Sequence, residues 1–579
     1  MAPSSRRMPR DVTEHPRPAP TAARSRRGRS LLGGLLAVLA GLVIVRAVYG
    51  GHILPPAHTG WILSGRIGPD PVQYWLGYTF FKRTEWGWPP GLNPGWGMEL
   101  SSSIFYADAI PLLAFLFKAL DPLVEVAQYW GLWLYACGAL QALLAWRLIG
   151  LGTTAMLPRL AGAALFVLQP MLLHRMGGHF ALGGQFVLLA GLLLCLTRGA
   201  GWRRLASWTA LVLATALIHA YLLVMVAGLW AADWLARAAD PPRRSALLAA
   251  EALAAPGAGL LGLWAAGFFV LSEGFGGTWG GFGRMQLDLL APFDPSYWGA
   301  FLPDLPGPGH LEAGSSYAGL GSLLLLAAGA LAWATRPRAF LHAHWPLLLA
   351  LAAFLALAVT HRVSIGGREV VLFELSAEVL RYADALRASE RFLWPVAYAA
   401  LVAAALTLVR VLGGRRAGLV LAAALAVQIA DLRPGFARLA HFFAPEPAVV
   451  PLRLGDPFWI EAARRYSRIR VVPNRNQAAW WEEVAVYAAT MGLETDAVYF
   501  ARIDPRRVAR VNAAMAERLG TGRFEPCTLY VLGDAGAIAL ARASRDPDRD
   551  LLEMIDLLMV LAPGWWGADD DGFGASACR

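Results

Sequence analysis

The sequence predicts a polytopic α-helical membrane protein that carries a small α/β domain at its C-terminal end. Three observations lead to this prediction. Hydrophobic residues make up 57% of the 579 residues and charged residues only 16%, whereas soluble domains carry about 25% charged residues. Apolar runs of bilayer-spanning length recur from Leu31 to about Asp431 and then stop. After that point, short segments alternate between helical and strand-like patterns.

Residues 1–30 predict a disordered basic tail in the cytoplasm, because they contain eight arginines and almost no apolar side chains. The apolar run that follows, LLGGLLAVLAGLVIVRAVYG, has no convincing small-residue cleavage site after it. We therefore expect a retained first helix rather than a signal peptide. The net charge of +10 comes from arginines in this tail and at helix ends. This distribution of charge reflects membrane topology. The expected partner is therefore the lipid bilayer, and we expect no binding to nucleic acid.

About eleven transmembrane helices are predicted within a transmembrane domain at residues 31–432. The stretch from Ser207 to Trp234 is too long for one crossing, so we divide it at His219 into a hairpin of two short helices. With this division every short cytoplasmic loop is rich in arginine, as the positive-inside rule requires. The predicted segments lie at about 31–50, 126–146, 158–173, 185–197, 205–219, 221–236, 246–271, 317–335, 341–360, 391–411 and 417–432.

This topology places a large first loop (residues 51–125, here called loop one) on the external face, together with residues 272–316 and 361–390. Residues 433–579 also lie outside and predict a small extracytoplasmic α/β domain. This domain contains no glycine-rich phosphate loop and no nucleophile elbow. Its Cys527 and Cys578 could form a disulfide, and no metal-ligand spacing occurs among the cysteines.

Loop one concentrates acidic residues among aromatic ones, with eleven aromatic residues between Trp61 and Tyr106. Residues 104–120 are apolar and predict an interface helix along the membrane surface, with Asp108 near its start. A carboxylate at such an interface suits a general base, because partial desolvation moves its pKa towards the working pH. The alternative for Asp70, which lies between two prolines, is that it only caps a turn or helix.

Two further clusters combine arginine with other polar residues. The segment HRMGGHFALGGQ places Arg175 and His179 beside glycines, a combination that suits a phosphate group but also an ordinary outer turn. His219 in the helix hairpin is more often a hydrogen-bonded structural residue. Charged residues at a membrane helix are usually functional or paired. On this ground Arg391 could bind a lipid phosphate, while Glu390 could simply pair with a neighbouring arginine. The candidates for substrate contacts, most of which lie in outer loops ahead of a crossing, are His219, Glu312, Tyr317, Arg387 and Glu390.

Six motifs follow one another in a fixed order: GPDPVQYWLGYTFFKRTEWGWP, SIFYADAIPLLAFLFK, QYWGLWLYACGALQALL, HRMGGHFAL, SYAGLG and RASERFLWPVAY. They resemble one uncharacterised family of bacterial membrane proteins known only as a domain of unknown function. The resemblance extends from about residue 35 to about residue 565. The overall plan of that family resembles the GT-C superfamily of membrane glycosyltransferases.

The GT-C resemblance implies a first-loop acid that acts as base or metal ligand, and a polyprenyl-phosphate sugar as donor. Carried over by position, Asp70 matches that acid and Asp108 is a second candidate, while Arg175, His179 and Arg391 match contacts to the donor phosphate. Asp70 has no adjacent acidic residue, which argues against a tightly bound metal. No metal ligand is therefore assigned, and a divalent ion is the one cofactor left open.

Together with the candidate residues, the GT-C resemblance implies an inverting glycosyltransferase in the bacterial inner membrane. It would transfer sugar on the external face to an envelope glycan, lipid or protein acceptor. The alternative is a non-catalytic transporter or assembly factor for lipid-linked envelope glycans. A transporter predicts charged residues at mid-membrane and internal repeats, and neither is clear in the sequence. A third interpretation makes the C-terminal domain the functional part and the helices its anchor.

Overall fold

The structure is a computed structural model that describes residues 20–197, 199–240, 245–271, 281–305, 316–334, 344–567 and 578. Helices dominate it, and a five-stranded sheet lies near the C-terminus. The helices up to residue 442 are α1 Pro20–Tyr49, α2 Gly60–Leu63, α3 Pro69–Arg83, α4 Pro111–Leu120, α5 Trp130–Ile149, α6 Met156–Val167, α7 Pro170–Met176, α8 Phe186–Leu196, α9 Trp202–Ala216, α10 Ala220–Ala238, α11 Ala246–Ala266, α12 Leu320–Trp333, α13 Trp345–Val359, α14 Ala377–Ala383, α15 Leu393–Asp431 and α16 Arg433–Phe442.

Within the described residues, five helical segments are long and apolar enough to cross a membrane, and the bent pair α6–α7 makes a sixth if it counts as one span. This supports a membrane protein but does not confirm eleven crossings, because several apolar helices have only 10–17 residues. The segment Ser389–Asp431 has 43 residues. Within α15, Gly413 has a non-helical conformation, with φ 75°, and divides the helix into two arms at 393–412 and 414–431.

Several predicted boundaries can be compared with the structure. The division at His219 is confirmed, because α9 ends at Ala216 and α10 begins at Ala220. Helix α1 begins at Pro20, so its first turns cover the end of the segment predicted to be disordered. The predicted helix at 104–120 starts only at Pro111, since Asp108 and Ile110 have positive φ angles of 52° and 56°.

The C-terminal region has the predicted α/β architecture. Its helices are α17 Pro457–Arg465, α18 Trp481–Met491, α19 Pro505–Thr521 and α20 Ala535–Ser544. After a separate β1–β2 hairpin (Arg362–Ile365 and Arg368–Val371), its strands are β3 Arg468–Val472, β4 Glu494–Thr495, β5 Thr528–Leu532, β6 Leu551–Ile555 and β7 Leu558–Ala562.

The five strands are ordered β4-β3-β5-β7-β6. Strands β4, β3 and β5 are parallel to one another, whereas β7 is antiparallel to both of its neighbours, β5 and β6. A disulfide joins Cys527 to Cys578, with Cα atoms 5.4 Å apart, as the sequence suggested.

The C-terminal domain contacts loop one through β4 and the chain that follows it. The amide of Gly97 donates to the carbonyl of Thr495 at 2.8 Å. The indole of Trp96 donates to the carbonyl of Ala497 at 3.1 Å, and its ring meets that of Phe500 at 4.8 Å between centroids. Trp96 is fully buried. This segment of the C-terminal domain therefore packs directly on the loop that carries Asp70.

Candidate functional site

Asp70 lies in the first turn of α3, where the local sequence fixes its position. Gly68 precedes the helix with φ 102°, a conformation that glycine adopts readily, and Pro69 occupies the first helical position. Residues 71–81 of this helix are all buried, so packing against the surrounding residues fixes the position of α3. The carboxylate at its N-terminus remains 24% exposed. Asp70 is thus a half-buried acid at the N-terminus of a well-packed helix.

Two side chains from distant parts of the chain contact Asp70. The Nε2 atom of His179 lies 3.1 Å from its Oδ2 atom, and the hydroxyl of Tyr499 donates a hydrogen bond to the carboxylate. Desolvation, and then the charges of Arg175 and Arg391, hold the pKa of His179 well below its ordinary value. His179 is therefore neutral and donates Nε2–H to the carboxylate.

The charge state of Asp70 reflects opposing effects. Desolvation raises its pKa, whereas the hydrogen bond from Tyr499 and the positive charges of Arg391 and Arg175 lower it. Desolvation is the largest of these, so the net shift is upward. A carboxylate with a raised pKa that still has donors around it can both accept and release a proton.

Asp108 forms a second acid–histidine pair beside the first. The Nε2 atom of His219 lies 3.7 Å from its Oδ1 atom. The Nδ1 atom of His219 accepts a hydrogen bond from the Tyr221 amide at 3.1 Å, so Nε2 carries the proton and faces Asp108. Desolvation and then the charge of Asp70 raise the pKa of Asp108 to about 7. Asp108 can therefore change its protonation state near neutral pH.

Two arginines complete the cluster. Arg175, at the end of α7, is 1% exposed, and Arg391, just before α15, is 9% exposed. The guanidinium of Arg391 lies 4.9 Å from the centre of the Tyr221 ring, and that of Arg175 lies 5.8 Å from the Trp394 ring. Both charges act on Asp70. The site therefore combines two acids with two cations held by aromatic rings.

The remaining predicted residues divide into three groups. Arg387 acts electrostatically on Tyr499, and Glu390 acts on Arg175 and accepts a hydrogen bond from Ser316, so both border the cluster. Tyr317 instead donates to Asp431 at 2.6 Å. Glu312 lies outside the described residues.

Sequence reasoning missed Tyr499, the residue that the C-terminal domain contributes to this cluster. Its ring lies 5.4 Å from that of Trp481, and desolvation and the charge of Asp70 raise its pKa above the ordinary range. It is therefore a neutral phenol that donates to Asp70. Nothing in the local sequence distinguishes it from other tyrosines, because only the docking of the two domains brings it to the site.

The cluster offers hydrogen-bonding and acid–base groups rather than a preformed metal site. Among the residues that the structure describes, no three His, Cys, Asp or Glu side chains are grouped to hold a metal ion. Each of the two acids faces one histidine. Such an arrangement can bind an anionic group and move a proton at the same place.

Comparison with protein families shows two adjoining matches. A family described as a domain of unknown function, DUF6311, matches residues 38–433, and the DUF6311 C-terminal domain matches residues 458–563. A comparison with curated proteins finds no match. Because the first match alone covers more than half of the chain, the protein belongs to the DUF6311 family.

Proposed function

We propose that the protein is a GT-C-type glycosyltransferase of the bacterial inner membrane. It transfers a sugar from a polyprenyl-phosphate-linked donor to an acceptor hydroxyl at the external face. The observation that carries the proposal is that the half-buried Asp70 lies among the positive charges of Arg175 and Arg391. Transfer from a phosphate-linked sugar requires a base for the acceptor hydroxyl and cations for the phosphate. The cluster contains both.

Asp70 acts as the general base in this proposal. It takes the proton of the acceptor hydroxyl while the oxygen attacks the anomeric carbon, and the bond from that carbon to the donor phosphate breaks. The leaving phosphate takes the bonding electron pair, and a single displacement inverts the anomeric configuration. Tyr499 and His179 orient the carboxylate through hydrogen bonds. Asp108, whose pKa is about 7, can receive the proton afterwards.

Arg175 and Arg391 bind the donor phosphate. A guanidinium presents planar donors that match phosphate oxygens in pairs, and it keeps its charge when buried more readily than an ammonium group. Removing water from both arginines strengthens their attraction for the developing negative charge of the leaving group. Because this negative charge develops on the donor phosphate, we assign both arginines to the donor site rather than to the acceptor site.

The proposal includes eleven crossings, with the N-terminus in the cytoplasm and the C-terminal domain outside. Four crossings are α1, α5, α10 and α11. The other seven are the bent pair α6–α7, then α8, α9, α12 and α13, and the two arms of α15 around Gly413. A helix of 15 residues is about 22 Å long. Some of these crossings therefore need local bilayer thinning or non-helical flanks.

Binding of polyprenyl phosphate, measured by native mass spectrometry, tests the donor site. We expect the wild type to retain this lipid over bulk phospholipids, Arg391→Ala and Arg175→Ala to lose it, and Arg391→Lys to retain part of it. Arg464→Ala, on the exposed surface of α17, is the matched control. If phospholipids compete equally and neither arginine variant changes binding, the proposal fails and a non-catalytic envelope factor is favoured.

A further inference from the structure

A cavity of about 420 Å³ lies where the C-terminal domain meets loop one. Its volume falls within the range of about 300–1,000 Å³ that small-molecule sites occupy, and such sites favour domain interfaces. One wall is helix α19 and the other includes Glu99 from loop one. The lining consists of Glu99, Arg507, Arg510, Val511, Ala514, Met515, Arg518 and Glu525.

The carboxylates of Glu99 and Glu525, which line this cavity, are held in place by Arg470, whose side chain is 1% exposed. Its guanidinium binds Glu99 through two hydrogen bonds of 3.0 and 2.6 Å and Glu525 through one of 2.6 Å. Asp496 accepts a fourth hydrogen bond at 3.1 Å. Because Arg470 holds these carboxylates, they are preorganised acceptors for hydroxyl groups inside the cavity.

Three arginines of α19 line the other side. Arg507 lies 3.6 Å from Asp504 and Arg518 lies 3.4 Å from Glu525, so both are partly neutralised. Arg510 is exposed and belongs to the same helix face. Between them, Val511 and Met515 are buried and give this face an apolar floor. The cavity thus combines hydroxyl acceptors, an apolar floor and an excess of positive charge.

We propose that this cavity binds an anionic sugar unit, one that carries a carboxylate or phosphate, as part of a glycan acceptor. Arg510 binds the anionic group, Glu99 and Glu525 accept hydrogen bonds from ring hydroxyls, and the apolar floor packs against the C–H face of the ring. A simple polyanion fits less well, because two carboxylates also line the cavity.

The cavity and the candidate site are formed by the same two parts of the chain, loop one and the C-terminal domain. Glu99 follows Trp96 in loop one, Trp96 contacts Phe500, and Phe500 is next to Tyr499, which hydrogen-bonds to Asp70. In this proposal, a glycan whose anionic unit occupies the cavity presents a neighbouring sugar to Asp70. The inference rests on the proposed function, since it names the acceptor class for the same transfer reaction.

Direct binding to the purified full chain tests this inference without any transfer reaction. The probes are cellobiuronic acid, glucose 6-phosphate, cellobiose and inorganic phosphate, and the readout is the Kd from isothermal titration calorimetry. We expect the two anionic sugars to bind, with affinities at least about tenfold above those of cellobiose and inorganic phosphate. Arg510→Ala should weaken both by a similar factor, and Arg510→Lys by less.

Arg542→Ala, an exposed arginine of α20 in the same domain, should leave all four affinities unchanged. Equal binding of cellobiose, no binding of either anionic sugar, or unchanged binding in Arg510→Ala would each overturn the inference. Binding of anionic sugars without retention of polyprenyl phosphate would support the cavity and reject the proposed donor. The reverse result would keep the donor site and reject the cavity.

Discussion

The hydroxyl of Tyr499 donates a hydrogen bond to the carboxylate of Asp70, which links the C-terminal domain to the first turn of a helix in loop one. This contact makes the C-terminal domain part of the candidate site rather than an appendage. The buried Trp96, whose indole donates to the Ala497 carbonyl, holds loop one against the domain close to this contact.

Replacing Tyr499 by phenylalanine should raise the pKa of Asp70 further. The hydroxyl stabilises the ionised carboxylate, so its loss favours the protonated form. Carbodiimides react with protonated carboxyl groups, and the labelling of Asp70 can be followed against pH by peptide mass spectrometry. We expect the midpoint of this labelling curve to move to higher pH in Tyr499→Phe.

Tyr487→Phe is the matched control for this experiment. Tyr487 is a buried tyrosine of the same domain whose hydroxyl donates to the Trp459 carbonyl at 2.7 Å. Its loss should leave the curve of Asp70 unchanged. An identical midpoint in wild type and Tyr499→Phe would show that the hydrogen bond does not control the ionisation of Asp70.

Replacing Asp70 by asparagine should slow transfer strongly but preserve donor binding. Asparagine has nearly the same shape but cannot accept the proton, and general bases contribute about 10²–10⁴-fold to a rate. Turnover of a lipid-linked sugar should therefore fall by about 100-fold or more, while native mass spectrometry still detects the bound polyprenyl phosphate. A variant that loses binding as well would indicate that Asp70 is structural.

Replacing Asp108 by asparagine should stabilise the protein above neutral pH. The pKa of Asp108 is about 7 when folded against an ordinary value of 3.8, so the folded state binds the proton more tightly. Its contribution to stability therefore falls as pH rises from about 4 to 7. The free energy of unfolding of Asp108→Asn should therefore be up to about 4 kcal/mol higher than that of the wild type at pH 8. The difference should be measurable as a higher Tm.

The two proteins should have similar Tm values near pH 3, about one unit below the ordinary pKa, where Asp108 is mostly neutral in both the folded and the unfolded states. A difference in Tm that does not vary with pH would contradict the assigned ionisation.

Replacing Arg470 by methionine should destabilise the C-terminal domain strongly. Glu99, Asp496 and Glu525 would lose the cation they share, and breaking a buried ion pair costs about 3–5 kcal/mol. The effect should appear as an earlier unfolding transition in tryptophan fluorescence. Arg468→Ala, two residues earlier on β3, removes an exposed pair with Glu494 of β4. This change should cost less than about 1 kcal/mol.

Periodicity and charge predicted much of the fold for physical reasons. Long apolar runs and arginine-rich loops indicated a helical membrane domain, and the break at His219 followed because two helices must turn there. The side chains predicted from loop one and from the HRMGGHFALGGQ segment, including Asp70, Asp108, Arg175 and His179, do lie together.

The sequence could not reveal features that depend on distant packing. Tyr499 reaches Asp70 only because the C-terminal domain docks on loop one, and Arg470 binds Glu99 for the same reason. Helix lengths also departed from prediction, because an apolar segment does not indicate where positive φ angles, as at Asp108, will delay the first turn.

Thiol labelling can test the predicted orientation of the C-terminal domain, since the chain has four cysteines and two of them, Cys527 and Cys578, form a disulfide. Disulfides persist mainly in oxidising compartments outside the cytoplasm. In intact cells of a variant with Cys137 and Cys195 changed to serine, a membrane-impermeant maleimide should label the protein only after mild reduction. The further change Cys527→Ser should allow labelling of Cys578 without reduction. Labelling that requires permeabilised cells would place the domain in the cytoplasm and contradict the proposed topology.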